Sequence, residues 1–306
     1  MAQLGFLGLG IMGYPMARHL LEAGHAVALW SHSADKAQKL AGDFPQAKAC
    51  ATPSEVAKQA DIIFLCVGDT AMTEQATLGP GGLIESAKPG AIIVDCSTVA
   101  PSYARRAAKI LMEKDVHFLD APCTGSKPGA EAGTLTFMVG GDSVIYEKVK
   151  PFLEPMGKQL YYCGGIGLGL HTKLSQNLLL CNLLQAFNEC MVLASKAGVD
   201  PHLMVEVLQN SAARSGMVAF KAPYILRRDF STNFSVRWMH KDIGLMLETG
   251  NEMEVPLPLT SLTQQIFRAT IAKGLGDDDI CSTIKVLEDI TGVRVESPSE
   301  DSYKKL

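Results

Sequence analysis

The chain has 306 residues, a formal net charge of −4 and a pI of about 6.0. With 47% hydrophobic and 20% charged residues it has the composition of a globular protein with a large core, which excludes general disorder. The absence of basic runs argues against nucleic-acid binding, and the apolar runs are expected to be too interrupted to span a bilayer.

Cysteine usage and the start of the chain predict where the protein resides. The eight cysteines form no CxxC pair and no cluster at metal-ligand spacing. We therefore expect reduced thiols, no metal site and a soluble cytoplasmic protein. The first predicted strand already begins at Leu4, so no signal peptide is expected.

The first functional signature is a glycine-rich turn between a strand and a helix. QLGFLG, residues 3–8, predicts a short buried strand, and the apolar spacing after it predicts a helix, followed by the strand HAVALWS. Between strand and helix, Gly8, Gly10 and Gly13 form the G-x-G-x-x-G fingerprint of dinucleotide binding. These glycines permit a tight turn, close approach of a pyrophosphate and close packing of the helix. The predicted cofactor-binding residues are Gly8, Leu9, Gly10, Ile11, Met12 and Gly13.

The end of the second strand bears on the choice of cofactor. NAD-binding proteins usually carry an acidic residue there, whereas this chain has Ser31, His32 and Ser33, and Asp35 lies further along. Hydroxyl and imidazole groups can donate hydrogen bonds to a 2′-phosphate, which an acid would repel. The pattern favours NADP, with NAD as the alternative if Ser33 only caps the next helix.

The strand–helix alternation continues to about residue 164 and predicts a doubly wound sheet. The apolar runs that begin at Ala60 and Gly90 are typical of parallel strands buried on both faces. VHFLDAP, GTLTFMVGG and QLYYCG predict further short strands. Because ligands bind at the carboxyl ends of such strands, further cofactor contacts are expected there, at Leu65, Cys66, Val67, Ser97 and Thr98.

From Gly167 onward the pattern is helical, beginning with an apolar helix of about 30 residues. The predicted fold class is α/β: an N-terminal Rossmann-type doubly wound sheet, residues 1–164, followed by an all-α C-terminal domain, residues 165–294, and a polar tail, residues 295–306. The long helix is apolar on more than one face and is expected to be buried. Because one small domain is not expected to cover all these apolar faces, we predict a homodimer or homotetramer built through this substrate and oligomerisation domain.

Three groups of residues could carry chemistry. Lys173 lies near the start of the long helix, with Asn177 four residues later on the same face, and a lysine there could protonate an alkoxide. The glycine-rich stretch from Asp120 to Gly141 includes Thr124, Gly125 and Ser126, whose hydroxyl and N–H groups could bind a carboxylate. Lys241 could reach the cofactor. Each has a structural alternative: a surface lysine, a connector between strands and a solvated charge.

Four motifs in order resemble the β-hydroxyacid dehydrogenase family, which includes 3-hydroxyisobutyrate dehydrogenase, tartronate semialdehyde reductase and 6-phosphogluconate dehydrogenase. They are GFLGLGIMGYPMA, DAPCTGSKPGAEAGTLTFMVGG, GLGLHTKLSQN and KD at 241–242. The resemblance implies that Lys173 is the catalytic acid/base and Asn177 its substrate-side partner. It also implies that Thr124 and Gly125 bind the substrate carboxylate and that Lys241 lies against the cofactor.

Departures from the family pattern suggest a branch. Thr-Gly-Ser stands at 124–126 where the family usually has Ser-Gly-Gly. GSK from Gly125 and the later AE resemble the glyoxylate and succinic semialdehyde reductase branch. The leading expectation is an NADPH-dependent reductase of short aldehydo acids. The alternatives are an NAD-dependent 3-hydroxyisobutyrate-type dehydrogenase, a non-catalytic dehydrogenase-like binding module, and an imine reductase, a class that generally lacks the lysine.

Overall fold

The structure, a computed structural model, describes residues 2–297, and the chain divides into two compact units at Leu174/Ser175. The first unit contains one nine-stranded sheet. Its strands are β1 (Gln3–Leu7), β2 (Ala26–Trp30), β3 (Ala47–Ala49), β4 (Ile62–Leu65), β5 (Ile92–Asp95), β6 (His117–Asp120), β7 (Cys123–Thr124), β8 (Leu135–Gly140) and β9 (Gly157–Gly164).

Seven helices belong wholly to the first unit, and an eighth begins in it. They are α1 (Gly13–Glu22), α2 (Ala34–Asp43), α3 (Pro53–Gln59), α4 (Thr70–Thr77), α5 (Pro101–Met112), α6 (Ser126–Glu131), α7 (Ser143–Leu153) and the first residues of α8 (Leu168–Lys196). The rest of α8 belongs to the second unit, with α9 (Pro201–Gln209), α10 (Gly216–Leu226), α11 (Val236–Glu252), α12 (Pro258–Ala272) and α13 (Ile284–Thr291). Leu83–Glu85 and Ile280–Thr283 are 3₁₀ turns.

The sheet has the strand order β3-β2-β1-β4-β5-β6-β8-β7. Strands β1 to β6 run parallel, β8 is antiparallel to both β6 and β7, and β9 pairs with β8 in parallel. The order reverses at β1, where β2 lies on one side and β4 on the other. This confirms the predicted Rossmann-type sheet and the helical second unit.

Two apolar clusters form the core of the first unit. Phe6 and Phe64 belong to one cluster and Leu7 and Leu65 to the other. Successive side chains of a strand point to opposite faces of a sheet, so the parallel strands β1, β2, β4, β5 and β6 each contribute to both clusters. These five strands are therefore apolar at most positions, as parallel strands buried on both faces require.

The register of the parallel strands aligns the residues that end them. Leu7 pairs with both Trp30 and Leu65, Leu65 pairs with Asp95, and Asp95 pairs with Asp120. The segments that follow these five residues consequently leave the sheet at one edge. We call this the carboxyl edge.

Buried amide side chains of α8 hold the second unit together. Asn182 bonds to Thr260 and Thr263 of α12, and Gln185 and Asn188 both donate to Thr283. By length and hydropathy alone α8 could cross a membrane, contrary to the expectation from the interrupted apolar runs. Its buried, hydrogen-bonded amides are those of a helix in a protein core.

The structure corrects three further sequence expectations. Strands β3 and β7 and helices α4, α6, α7 and α10 were not among the predicted elements. Helix α8 is not buried all round, because Leu179 is 59% exposed and Leu193 is 74% exposed. The expected polar tail begins too early at 295: Val295 is buried and its N–H bonds to Glu288, whereas residues 298–306 of that tail lie outside the described residues.

Candidate active site

The three fingerprint glycines meet three different surroundings. Gly8 has φ +93°, and a Cβ there would lie 2.3 Å from the carbonyl oxygen of Cys66. A Cβ on Gly13 would lie 1.9 Å from the carbonyl oxygen of Gly8. A Cβ on Gly10 would meet no atom within 4 Å. Gly8 and Gly13 are thus required by the fold itself, while Gly10 leaves open space beside the main chain.

The open space at Gly10 fits a pyrophosphate. Within the described part of the chain, the N–H groups of Gly10, Ile11 and Met12 donate no hydrogen bond, and they precede the amino end of α1. Unpaired N–H groups and the positive end of a helix dipole attract phosphate. Ile11 is 52% exposed at this turn, whereas Leu9 is buried in the core and can offer only its main chain. The residues present therefore fit a dinucleotide.

The segments after β2, β4 and β5 join this turn at the carboxyl edge. The Val67 N–H donates to Ser97 Oγ at 2.9 Å, and the Ser97 N–H donates to Asp95 Oδ1 at 2.9 Å, which links the ends of β4 and β5. Cys66 and Val67 contact Gly8, and Thr98 follows Ser97. Leu65 was also predicted to contact the cofactor, but its side chain is fully buried, so it could contact a ligand only through its main-chain atoms.

Ser31, His32 and Ser33 follow β2 at the same edge. Ser33 occupies the N-cap position of α2, but its side chain makes no capping hydrogen bond within residues 2–297. Its hydroxyl is not used in the way that the helix-cap alternative requires. His32 and Ser33 are exposed, so both can meet a ligand from solvent.

The loop after β6 makes a tight turn. Thr124 ends β7 and pairs with Thr136, and Gly125 and Ser126 have φ values of +134° and +54°. Left-handed backbone is uncommon for a residue other than glycine, so Ser126 is held in an unusual conformation. Thr124 and Ser126 are half-buried at the carboxyl edge.

Lys173 lies close to this loop in the first unit. Burial raises the pKa of the Cys123 thiol to about 11, and the charge of Lys173 is the opposing influence. Lys173 is only 6% exposed although it is a lysine. Lysines are rarely so buried unless they are paired or functional. The charge of the predicted acid/base thus acts on Cys123, the residue directly before Thr124 of the predicted carboxylate loop.

Asn177 and Lys241 meet at one carboxylate in the second unit. Asn177 Nδ2 donates to Asp242 Oδ2 at 2.8 Å, and Lys241 Nζ lies 2.9 Å from Asp242 Oδ1. Asn177 and Asp242 are buried. Asp242 therefore fixes the direction of the Asn177 amide, leaving Oδ1 and one N–H for other partners. The sequence pattern KD contained Asp242, but it did not reveal the contact with Asn177.

Comparison with known proteins identifies the family. Residues 3–165 match the NAD binding domain of 6-phosphogluconate dehydrogenase, and residues 167–287 match the NAD-binding family of NADP-dependent 3-hydroxyisobutyrate dehydrogenase. The chain is 41% identical to 2-(hydroxymethyl)glutarate dehydrogenase of Eubacterium barkeri, over 96% of this chain and 97% of that protein. It belongs to the β-hydroxyacid dehydrogenase family. It is also 33% identical to glyoxylate/succinic semialdehyde reductase 2, chloroplastic, of Arabidopsis thaliana, over 93% of this chain and 79% of that protein.

Two solved structures agree with the fold. The Mycobacterium tuberculosis 3-hydroxyisobutyrate dehydrogenase with L-serine has a TM-score of 0.86 at 28% identity, over 94% of this chain and 99% of that chain. Psf3 in complex with NADP+ and 2-OPP has a TM-score of 0.83 at 26% identity, over 93% of this chain and 99% of that chain. The protein is an NAD(P)-dependent β-hydroxyacid dehydrogenase whose cofactor is NADP, with NAD possible.

Proposed function

We propose that this β-hydroxyacid dehydrogenase is an NADPH-dependent reductase of short aldehydo acids, such as glyoxylate and succinic semialdehyde, and forms the corresponding hydroxy acids. The observation that supports it most directly is the loop of Cys123–Ser126 beside buried Lys173. A carboxylate-bearing aldehyde needs both parts: donors for its charge and an acid for its carbonyl oxygen. The naming of the Arabidopsis relative also supports the substrate class.

Each residue has a chemical task in this proposal. Thr124 Oγ1 and the N–H groups of Gly125 and Ser126 bind the substrate carboxylate. The bound nicotinamide cofactor supplies the hydride. Lys173 stabilises the negative charge that develops on the carbonyl oxygen and donates a proton to it. Asn177, oriented by Asp242, acts as the substrate-side partner, and Lys241 keeps the cofactor-side role that the family resemblance implies.

The open phosphate-binding turn and the end of β2 support the cofactor part of the proposal. Gly8, Gly10 and Gly13 position the pyrophosphate, and Ser31, His32 and Ser33 donate to the 2′-phosphate of NADPH. An acid at the end of β2 would repel that phosphate, and none is present there.

A second candidate is oxidation of a larger hydroxymethyl acid. It is favoured by the 41% identity to 2-(hydroxymethyl)glutarate dehydrogenase, an enzyme named for a branched dicarboxylate. An NAD-dependent 3-hydroxyisobutyrate-type activity remains the related alternative, supported by the structural likeness to the Mycobacterium tuberculosis enzyme.

A substrate panel tests these proposals. Glyoxylate, succinic semialdehyde, 3-hydroxyisobutyrate and 2-(hydroxymethyl)glutarate are assayed with NADPH/NADP+ and NADH/NAD+, together with the uncharged amides or neutral aldehydes of matched length. We expect the charged aldehydes with NADPH to give the highest kcat/KM. An unpaired carboxylate site costs about 1–3 kcal/mol, so the neutral analogues should be at least several-fold poorer. Equal kcat/KM for charged and neutral aldehydes contradicts the carboxylate loop, and absence of turnover with every pair contradicts the proposed substrates.

We also propose that the second unit forms a homo-oligomer, a dimer or tetramer. Large apolar side chains are exposed on several of its helices, and such patches commonly mark protein interfaces. They are Leu179, Leu193, Leu203, Val207, Leu259, Leu262 and Ile290. A cytoplasmic location stays a prediction.

A further inference from the structure

Asp120 at the end of β6 holds the start of the helix that carries Lys173. Its Oδ1 accepts a hydrogen bond from the Gly167 N–H at 2.7 Å, and its Oδ2 accepts one from the Leu170 N–H at 2.8 Å. The carboxylate is fully buried. A carboxylate at the amino end of a helix satisfies N–H groups that have no partner within the helix and complements the helix dipole. Lys173 follows Leu170 by three residues, so it lies within the first two turns of α8.

Glycines from two of the family motifs make room for this carboxylate. A Cβ on Gly140, at the end of β8, would lie 2.6 Å from Asp120 Oδ1. A Cβ on Gly169 would lie 2.9 Å from Asp120 Oδ2 and 2.3 Å from the carbonyl oxygen of Met138. Gly167 has φ +88°, a backbone conformation that favours glycine. The surroundings of Asp120 are therefore shaped to hold a carboxylate against the helix end.

The same residue begins the segment that leads to the carboxylate loop. Thr124 and Gly125 follow Asp120 by four and five residues, and β7 pairs with β8 in between. Asp120 is thus separated by only a few residues from the carboxylate loop, and its side chain binds the start of the helix that carries Lys173. We propose that Asp120 is a positioning residue, which sets the position of Lys173 relative to the loop of Thr124, Gly125 and Ser126. This inference rests on the proposed function.

The charge of Asp120 gives the arrangement a pH dependence. Burial raises the pKa of the Asp120 carboxyl to about 6, against the opposing hydrogen bonds of backbone amides. Besides burial, the largest influences on it are the amides of Asp120 itself, Gly167, Gly169 and Leu170. Protonation below pH 6 turns one acceptor oxygen into an O–H donor, which faces an N–H donor. The attachment of α8 should therefore weaken as the pH falls below 6.

The contribution of Asp120 to the stability of the fold should change with pH in the direction opposite to its effect on the attachment of α8. Because the folded-state pKa of Asp120 lies above the usual value of 3.8, the folded protein binds this proton more tightly than the unfolded chain does. The contribution of Asp120 to the free energy of unfolding is consequently larger in acid and is lost as the pH rises through about 6. Asp120 should therefore not destabilise the fold near pH 5. If turnover nevertheless falls toward pH 5, Asp120 acts by positioning and not only by stabilising the fold.

Asp120→Asn is the decisive variant, and Asp142→Asn is its matched control. The asparagine keeps the shape of the side chain but turns an NH₂ group toward one of the two N–H donors. Asp142 is likewise a helix-capping aspartate, which accepts from Val144 and Ile145 at the start of α7, but it is exposed and takes no part in the proposed site. Both variants are assayed for kcat, KM and NADPH affinity from pH 5 to 8, and hydrogen exchange is followed at the Leu170 amide.

We expect D120N to lower kcat about a hundredfold, the scale of a displacement of about 1 Å in a catalytic group, with NADPH affinity unchanged. Wild-type kcat should fall below about pH 6, whereas D120N should show no such step. The Leu170 amide should exchange faster in D120N, and D142N should resemble wild type in every readout. Unchanged kcat, pH profile and Leu170 exchange in D120N would overturn the proposal.

Two further measurements separate the possible failures. If D120N does not fold, the wild-type enzyme decides: a kcat that is constant from pH 5 to 8 refutes the inference, and a step near pH 6 supports it. If wild type reduces no aldehydo acid, the proposed function fails by itself. Hydrogen exchange at Leu170 in D120N then still reports whether Asp120 holds the helix end.

Discussion

Alanine substitutions at the three fingerprint glycines should give three different results. Gly10→Ala adds a Cβ that meets no atom within 4 Å, and Gly10 does not have a positive φ. The free energy of unfolding should therefore stay constant or rise by about 0.4–1 kcal/mol, because alanine restricts the unfolded chain. NADPH binding should weaken, because the new methyl group occupies the space into which the pyrophosphate approaches.

The loss of affinity can be sized from the hydrogen bonds at that turn. Displacing one phosphate oxygen from a main-chain N–H removes a charge-assisted bond worth about 1.5–3 kcal/mol. Since about 1.4 kcal/mol corresponds to a factor of ten, Kd for NADPH should rise by about tenfold to a hundredfold. Gly10→Ala should thus be a well-folded protein that binds its cofactor poorly.

Gly8→Ala and Gly13→Ala should instead destabilise the fold. At Gly8 the backbone with φ +93° costs about 1–3 kcal/mol for alanine, and the Cβ would lie 2.3 Å from the Cys66 oxygen. Overpacking of this kind adds about 1–3 kcal/mol. At Gly13 the 1.9 Å approach to the Gly8 oxygen demands a shift of the main chain. These costs are large against a total stability of about 5–15 kcal/mol.

Urea unfolding without cofactor and calorimetric titration with NADPH test all three variants. A Gly10→Ala protein as unstable as Gly8→Ala would show that the space at Gly10 is required by the fold. A Gly10→Ala protein with wild-type NADPH affinity would show that the pyrophosphate does not bind there. Either result refutes the assignment of this turn.

Three further predictions follow from the site and the surface. Lys173→Ala should lower turnover by about 10²–10⁴-fold with NADPH affinity retained, as expected for loss of a general acid. Lys127 is an exposed lysine on α6, and Lys127→Ala should leave turnover unchanged. Stopped-flow assays would detect the difference. Ser31→Asp should raise Kd for NADPH more than Kd for NADH, and equal changes would argue against a 2′-phosphate contact. Sedimentation at micromolar concentration should give a dimer or tetramer, and a monomer would contradict the proposed interface.

The parts of the fold that were predictable from sequence are those in which one physical constraint dominates. The β1–α1–β2 unit is recognisable because Gly8 and Gly13 are forced by local geometry. Asp200 is recognisable as a helix cap because it directly precedes Pro201, a residue favoured at the first helical position, and its carboxylate accepts from the two amides after that proline. Strand β3 was not, because it has only three residues, one exposed between two half-buried ones, and these carry no distinctive pattern. Strand β7 is shorter still and exists through its pairing with β8.

The residues of the candidate site likewise differ in how far they could be predicted from sequence. Lys173 and Asn177 were predicted because a lysine and an amide at helical spacing stand out in an apolar helix. Asp120 and Asp242 were missed as functional candidates because their partners lie far away in sequence: Gly167 is 47 residues from Asp120, and Asn177 is 65 residues from Asp242. A buried carboxylate that accepts from a distant amide has no local signature. Its role becomes visible only when tertiary structure brings the two groups together.

A buried ion pair in the second unit allows a last prediction about stability. Lys221 Nζ donates to both carboxylate oxygens of Asp279, at 2.8 and 2.9 Å, and both residues are buried. Asp279 also accepts the N–H groups of Asn233, Phe234 and Cys281, so it joins α10 to the segment before α11 and to the 3₁₀ turn.

Lys221→Met would leave that carboxylate buried without its counter-charge, which costs about 3–5 kcal/mol. Lys273→Met is the matched control in the same unit, because Lys273 pairs with Asp289 on the surface, where such pairs contribute about 0–1 kcal/mol. Urea unfolding followed by tryptophan fluorescence, to which Trp30 on β2 and Trp238 on α11 contribute, would compare the two variants. Equal losses of stability would mean that the Asp279 carboxylate is held by its main-chain donors alone. A loss confined to Lys221→Met would establish that the buried pair anchors α10.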